Sequence, residues 1–520
     1  MIDPHSFGRG PRRAPRLHAG VTWLGLGAVL AGPPILTGTA RAEPSSRPLT
    51  LRESIALAVR GNPTLAAAGV DVRIADANRL AAAGLDDFIV DVSGTYNNSQ
   101  NAILPDVILQ TLDSHDMRGE IALTKPLVTG GRIGLHLGGG YSQQRSAIII
   151  DPTMPPLESV SKDYSESLQL RFEQPLLRGF GPAVARADQR RSGVQRNVAG
   201  ALRLGAAATL VRDVVASYWE LAFATQELTI RRAAATSARD QLLRVAANIN
   251  VGKLPRSASS EVEVAIAIRD AAVLSAELTL FARAVDLARL AGISIDETDH
   301  PILQASDTPV PPAGLPTMSA ALDLALAHNP QLEALRSQGA AAAIEVEVTD
   351  NGLLPQLDVA LFGGPTGDAA TASTSYSQIT QLKGYAEGAS LVFQEPIERR
   401  AARGARDAAL QRLEKVRLNE QDILAQVRSA VAQGVAAVVN AERQGEVLAR
   451  SIEVAQTDLE AEKARFEGGR STSFDVLRRQ DALATVQLAL LRARVDHLKA
   501  LAGLQAATGE ILAVYGMVVP

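Results

Sequence analysis

The sequence predicts a mainly α fold with a β-barrel portion: long antiparallel coiled-coil helical hairpins in two internal repeats, each repeat carrying amphipathic strands. Three observations predict it. "LRESIALAVRGNPTLAAA" (51–68) and "MSAALDLALAHNPQLEAL" (318–335) share an Asn-Pro break inside an apolar-periodic run. Period-two patterns follow each break. Beyond them each half enters a run of about 70 residues rich in Ala, Arg, Glu and Leu, about 100 Å as one helix.

In chain order, Arg9, Arg12, Arg13 and Arg16 precede an apolar stretch, Val21 to Leu36, and then Ala40-Arg41-Ala42. This order predicts a secretory signal peptide over 1–42. Gly32-Pro33-Pro34 cuts the run below the roughly 20 residues of a membrane span. The chain has no cysteine, which excludes disulfides and an acylated lipoprotein anchor. No later segment reads as a transmembrane helix, so entry into a membrane would have to be as strands. A net charge of −4 without a basic block argues against nucleic acid.

Proline disfavours helix at the residue before it and opens one after it. Asn62-Pro63 and Asn329-Pro330 therefore each end one helix and begin another. Leu51, Ile55, Leu57 and Leu65 match Met318, Leu322, Leu324 and Leu332 around the breaks, which reads as a duplication. After the first break, Phe88, Val90, Val92 and Tyr96 alternate with Ile89, Asp91, Ser93 and Thr95; after the second, Leu357, Val359 and Leu361 alternate with Gln356, Asp358 and Ala360. "SLQLRFEQPL" and "YAEGASLVFQEP" are later strands of the same kind. The first half adds "GEIALTKP" and "RIGLHLGGGY", joined by a Gly-Gly turn, with "NNSQN" and "DPTMPPLESVSKD" as polar loops. A lipid-facing barrel wants an apolar outer face bordered by aromatics; a soluble antiparallel sheet alternates equally well.

The long runs are expected from about Pro182 to Val251 and from about Ile397 to Glu467. Seams at Leu210, Val214, Tyr218, Leu221, Thr225, Leu228, at Ile423, Val427, Ala430, Gly434, Ala437, and at Leu491, Val495, Leu498, Ala502 have side-by-side helix spacing. Glycine turns, Val251-Gly252-Lys253-Leu254 and Gly468-Gly469-Arg470, reverse the chain, and Ser473 with Asp475 is placed to cap the second return helix. The expected first repeat spans 43–306, with strands at about 88–174 and a hairpin at about 182–291. A Pro-rich linker, 307–316, leads to the second repeat, 317–509, with strands at about 356–394 and a hairpin at about 397–509. A tail, 510–520, ends the chain.

In this order the sequence resembles the TolC-type outer membrane efflux protein (outer membrane factor) family. The resemblance rests on the two helix-Asn-Pro openings, on Leu354-Pro355-Gln356-Leu357 before a strand, on Gln174-Pro175-Leu176-Leu177 after one, and on "ARFEGGRSTSFDVL". It implies a homotrimer whose strands pool into a transmembrane β-barrel continued by a periplasmic α-helical tunnel. The implied function is an outer-membrane exit duct of a tripartite efflux or type I secretion system, with a periplasmic adaptor (membrane fusion) protein and an inner-membrane pump as partners. It places Asp475 at the periplasmic aperture, with Arg478 at a position acidic in some members. Val251, Gly252, Lys253, Leu254, Gly468, Gly469 and Arg470 fall at adaptor-docking tips. The family's usual four strands per protomer leave the extra pair at about 117–142 as either a wider barrel or an accessory hairpin. The competing expectation is a periplasmic or surface coiled-coil structural protein whose sheet packs on its own helices. No cofactor is expected, nor an enzyme: the seven histidines lack metal-ligand spacing, and Gly130-Gly131-Arg132-Ile133-Gly134 opens no helix.

Overall fold

The computed structural model describes residues 46–102, 104, 108–150, 154–293, 302–312, 314 and 317–517. The expected signal peptide and part of the linker lie outside them. A short strand, β1 (Ser46–Leu49), leads to α1 (Leu51–Gly61) and α2 (Pro63–Ala83), then to four strands: β2 (Ile89–Gln100), β3 (Leu109–Pro126), β4 (Arg132–Ile148) and β5 (Leu157–Pro175). A turn of helix, α3 (Pro182–Ala185), precedes α4 (Ala187–Asn250), α5 (Ser257–Leu290) and β6 (Ile302–Ala305). The second half runs α6 (Met318–His328), α7 (Pro330–Asn351), β7 (Gln356–Ala369), α8 (Ala372–Thr380), β8 (Gly384–Gln394), α9 (Arg400–Glu467), α10 (Ser473–Thr508) and α11 (Ile511–Val514).

The Asn-Pro breaks are splices between helices. The Asn62 Oδ1 accepts from the Thr64 and Leu65 amides at 2.9 and 3.3 Å, capping α2, while its Nδ2 donates to the Leu290 carbonyl at 3.1 Å. Asn329 does the same with Gln331 and Leu332 (3.0 and 3.2 Å) and with the Ala507 carbonyl (3.1 Å). Each asparagine thus joins the end of a returning helix, α5 or α10, to the start of the next, α2 or α7. Its neighbours are buried in pairs: Ala58 with Ala325, Leu65 with Leu332. The carboxamide supplies the acceptor for the cap and, from its other end, the donor for the distant carbonyl. Asn62→Asp keeps a good cap but turns an oxygen toward the Leu290 carbonyl. We expect about 1–2 kcal/mol of destabilisation, read as a shift in the thermal melt of the helical circular dichroism, with none beyond that in Asn62→Ser.

The half-length helices lie along the long ones: α2 and α5 on α4, α7 and α10 on α9, and α4 against α7 and α10. The core is mostly valine, alanine and leucine, centred on Val211, Val214, Val215, Leu221, Leu287 and Val495. Small side chains let the axes approach closely. At its centre the fully buried Tyr218 hydroxyl donates toward the Asp307 carboxylate (2.8 Å) and the Leu49 carbonyl (3.0 Å) and accepts from the Asp307 amide (3.1 Å). Burial pushes this phenol up to about 12. Asp307 also accepts from the Leu51 amide at 2.8 Å, so the first residue of the expected linker ties down the first turn of α1, which Thr50 caps. β1 and β6 pair in parallel; their four residues each were too short to show a pattern.

Two expectations about the helices need correction. The buried stripe of α9 is Val427, Val431, Val438 and Ala441, while Ala430 and Ala437 are exposed. Within a single chain these two seam alanines lie on the surface of the hairpin. One stretch of α9 is also long and apolar enough to cross a membrane, by length and composition alone, against the expectation that no later segment is. That helix is 68 residues long, about 100 Å, far longer than a span needs.

Glu220 of α4 accepts from Arg492 of α10 at 2.7 and 3.0 Å and from Lys499. The Arg492 guanidinium, and secondarily Lys499, hold its carboxyl down at about 2, against burial. A depressed carboxyl stabilises above its unfolded value of about 4.5 and loses that contribution as pH falls toward 2. After solvent screening, about 1–2 kcal/mol should be lost over that window. Urea titrations at pH 6 and pH 3 should therefore show a smaller acid loss in Glu220→Gln than in the parent.

Candidate functional site

The six longer strands form one antiparallel sheet in the order β2-β3-β4-β5-β7-β8. Its register separates two faces. Val90, Leu123, Leu135 and Leu170 share a hydrogen-bonded row, as do Val92, Ile121, Leu137 and Leu168. Nearer the loops Tyr96, Met117, Tyr141 and Tyr164 form a row on the same face. On β7 and β8 the apolar residues are Leu357, Val359, Leu361 with Phe393, Leu391, Ala389. The apolar band therefore steps toward the helical ends of the strands from β2 to β8, as tilted strands require. Val90, Val92, Ile121, Leu137, Leu170, Leu391 and Phe393 are all about half exposed or more.

The opposite face is polar. Glu120 sits 2.7 Å from His136 and 3.8 Å from Arg171; Arg132 meets Glu173 at 2.5 Å. Asp116 accepts from Ser142 at 2.7 Å, and Asp91 and Asp358 line the same concavity near the helices. Among the described residues no group of three His, Asp or Glu is placed to hold a metal ion.

The strands run further than their apolar pattern. "NNSQN" lies mostly in β2, β3 begins at Leu109 and β5 at Leu157, so much of the expected loops is strand. Just beyond the tyrosine row both faces are mostly polar, and the apolar residues further out, Leu109, Leu112, Ile148 and Leu157, are too sparse to make a period-two signal. The short helix α8, also unforeseen, packs against β5 and β7.

The quoted motifs meet at the foot of the sheet. Leu176 donates to the Leu357 carbonyl at 2.7 Å and Arg178 to the Pro355 carbonyl at 3.3 Å, so the Gln-Pro-Leu-Leu and Leu-Pro-Gln-Leu segments run side by side. Gln174 Nε2 donates to the Thr129 carbonyl at 3.2 Å and its Oε1 accepts from the Thr129 hydroxyl at 2.6 Å.

At the far end of the helices stand the two tips. Gly252 (φ 76°) and Gly469 (φ 68°) take the left-handed geometry that glycine tolerates. Lys253 and Arg470 donate back to the Asn248 and Arg465 carbonyls at 2.9 and 2.8 Å, the same reversal twice. Val251, Gly252, Lys253, Gly468, Gly469 and Arg470 are exposed and Leu254 is half-buried.

Asp475 closes the start of α10. Its carboxylate accepts from the Thr472 hydroxyl (2.7 Å) and amide (3.3 Å), and its amide donates to the Thr472 hydroxyl at 3.2 Å. Thr472, not Ser473, is thus the cap, and Ser473 is buried in the first turn. The Thr472 hydroxyl holds the Asp475 carboxyl below the usual range, with a small contribution from the exposed Arg478. The residue the sequence concealed is Arg269 of α5, 7% exposed. It donates to the Ala234 and Leu477 carbonyls, Gln480 and Asp481 at 2.8–3.2 Å. It joins three helices near the tips; no local pattern announces a buried arginine.

The sheet, apolar on one face and polar on the other, is continued by helices about 100 Å long. Residues 321–510 match the family model described as outer membrane efflux protein. Among solved structures the chain is similar to the outer-membrane channel OprN, with TM-score 0.62, 15% identity, and 88% of this chain and 90% of that one covered. It is similar to the outer membrane protein VceC of Vibrio cholerae at TM-score 0.60, 16% identity, and 88% and 96% coverage. The open state of the Neisseria gonorrhoeae MtrE outer membrane channel gives 0.58, 15%, and 89% of each chain. No curated protein matches the sequence significantly. The chain resembles the outer membrane efflux protein family, by sequence over 321–510 and by fold over both halves. OprN and MtrE are outer-membrane channels.

Proposed function

We propose that the protein is the outer-membrane exit duct of a tripartite efflux or type I secretion system. Three copies pool their sheets into one barrel, and the helical hairpins continue it as a tunnel through the periplasm. The carrying observation is the two-faced sheet with unpaired edges. Lipid tolerates no open edge, and β2 and β8 do not pair with each other in one chain. Among the described residues no long helix packs extensively on the apolar face, which disfavours a soluble rod with its sheet folded onto its helices.

The two halves, proposed to be structural repeats at 43–306 and 317–509, would give the trimer six similar hairpins. In this reading the exposed tips, Val251-Gly252-Lys253-Leu254 and Gly468-Gly469-Arg470, dock a periplasmic adaptor that links the duct to an inner-membrane pump. Asp475 and Arg478 stand near the tunnel mouth, Asp475 with its charge already engaged by Thr472. Transport through such a duct is passive: it supplies a polar path, and the pump supplies the energy.

The test is purification from outer membranes followed by mass measurement and planar-bilayer recording. A trimer that conducts ions supports the proposal. A soluble protein without conductance overturns it.

A further inference from the structure

We propose that the hairpin β3–β4 is part of the barrel wall, so that each copy contributes six strands and the trimer closes an eighteen-stranded barrel. The inference rests on the channel reading above. It decides between a wall insertion and an accessory flap, and three observations carry it.

The first is hydrogen-bond order. β3 and β4 lie between β2 and β5, paired to them along the strands: Ile89–Gln100 with Asp113–Thr124, and Arg132–Ile148 with Leu157–Glu173. β2 has no pairing with β5. A flap outside the wall would leave β2 and β5 facing lipid with unpaired backbone, which a bilayer does not permit.

The second is the side-chain pattern. Ile121, Leu123, Leu135 and Leu137 continue the apolar rows of Val90, Val92, Leu168 and Leu170 without interruption. Met117 and Tyr141 continue the row of Tyr96 and Tyr164, and the Tyr141 and Tyr164 rings lie 5.0 Å apart. On the other face Glu120 and His136 of the hairpin join Arg171 of β5. The hairpin therefore presents the same two surfaces as its neighbours, and its outer surface is proposed as lipid contact.

The third is anchoring and direction. The β3–β4 turn is held at the foot of the sheet by Gln174 on Thr129 and by the Gly181 amide on the Thr129 carbonyl at 3.0 Å. An inserted hairpin adds two strands, so β2 and β8 keep opposite directions. With 12 and 11 residues, β2 of one copy fits antiparallel against β8 of the next.

At a strand spacing of about 4.8 Å and a tilt of about 40°, eighteen strands give a backbone diameter of about 36 Å. With β2 joined directly to β5, four strands per copy would give about 24 Å. The enclosed cross-section is then about 2.2-fold larger, lined by Arg118, Glu120, His136 and Arg171.

Because the chain has no cysteine, single cysteines report cleanly. Ile121→Cys, Leu137→Cys, Arg118→Cys and Glu120→Cys would be made in the full chain, with Leu170→Cys and Gln169→Cys as controls on β5. Trimers in lipid vesicles would be treated with a charged methanethiosulfonate and, separately, labelled with a fluorophore and mixed with brominated lipid. Positions 121 and 137 should react roughly tenfold more slowly than 118 and 120, as burial in hydrocarbon demands, and should be quenched by the lipid. If 170 and 169 alternate in this way but the hairpin positions react alike and are not quenched, the hairpin is a flap and the inference is overturned. If 170 and 169 also fail to alternate, the channel reading falls, and this inference with it.

Discussion

Gly509→Val is expected to lower the unfolding free energy by about 3 kcal/mol or more. Gly509 ends α10 at φ 79°, and an added Cβ would fall 2.3 Å from the His328 carbonyl oxygen and 2.8 Å from its carbon. Both atoms are backbone, so no side chain can swing away. The left-handed geometry adds about 1 kcal/mol. The first half repeats the contact: Gly292, φ 68°, would place a Cβ 2.4 Å from the Gly61 oxygen. Gly469→Ala is the internal control. Its φ is also 68°, but nothing lies within 4 Å of the added carbon, so it should cost only about 1 kcal/mol. Thermal melts of the two variants, followed by helical circular dichroism, separate strain from collision; equal shifts would contradict the splice geometry.

Arg269→Ala should be the second large effect, about 2–4 kcal/mol. The guanidinium satisfies two carbonyls and two side chains across α4, α5 and α10 beside the cluster of Ala238, Val245, Val262 and Leu477. Removing it strands the Ala234 and Leu477 carbonyls in a dry site. Asp481→Asn should cost well under 1 kcal/mol, because the Asp481 carboxylate is 63% exposed. Arg269→Lys should fall between, since an ammonium on a single stem cannot span the fork. Urea unfolding of the three variants checks this ranking; an Asp481→Asn effect as large as Arg269→Ala would show that the ion pair, not the carbonyl bridge, holds the helices.

Of the candidate site, what showed in the sequence was what repeats at short range. Val90 and Val92 alternate with Asp91 and Ser93 whatever surrounds them, and Gly252 and Gly469 mark reversals wherever helices end. The outer strand ends were missed because residues such as Asn97, Asn98, His115 and Gln143 are polar on both faces. Thr472 and Ser473 are adjoining hydroxyl residues, and only backbone dihedrals separate cap from first turn.

The amino-acid sequence by itself determined the long helices, the amphipathic strands and the paired Asn-Pro breaks, since each depends on residues a few positions apart. Tertiary structure alone decided what those breaks join, because the Leu290 and Ala507 carbonyls lie 228 and 178 residues from their asparagines. It also decided that β3 and β4 stand between β2 and β5, that Arg269 reaches α10, and that Glu220 meets Arg492 across 272 positions. Chain spacing sets local periodicity, but a long-range partner is selected only when whole faces are buried against one another.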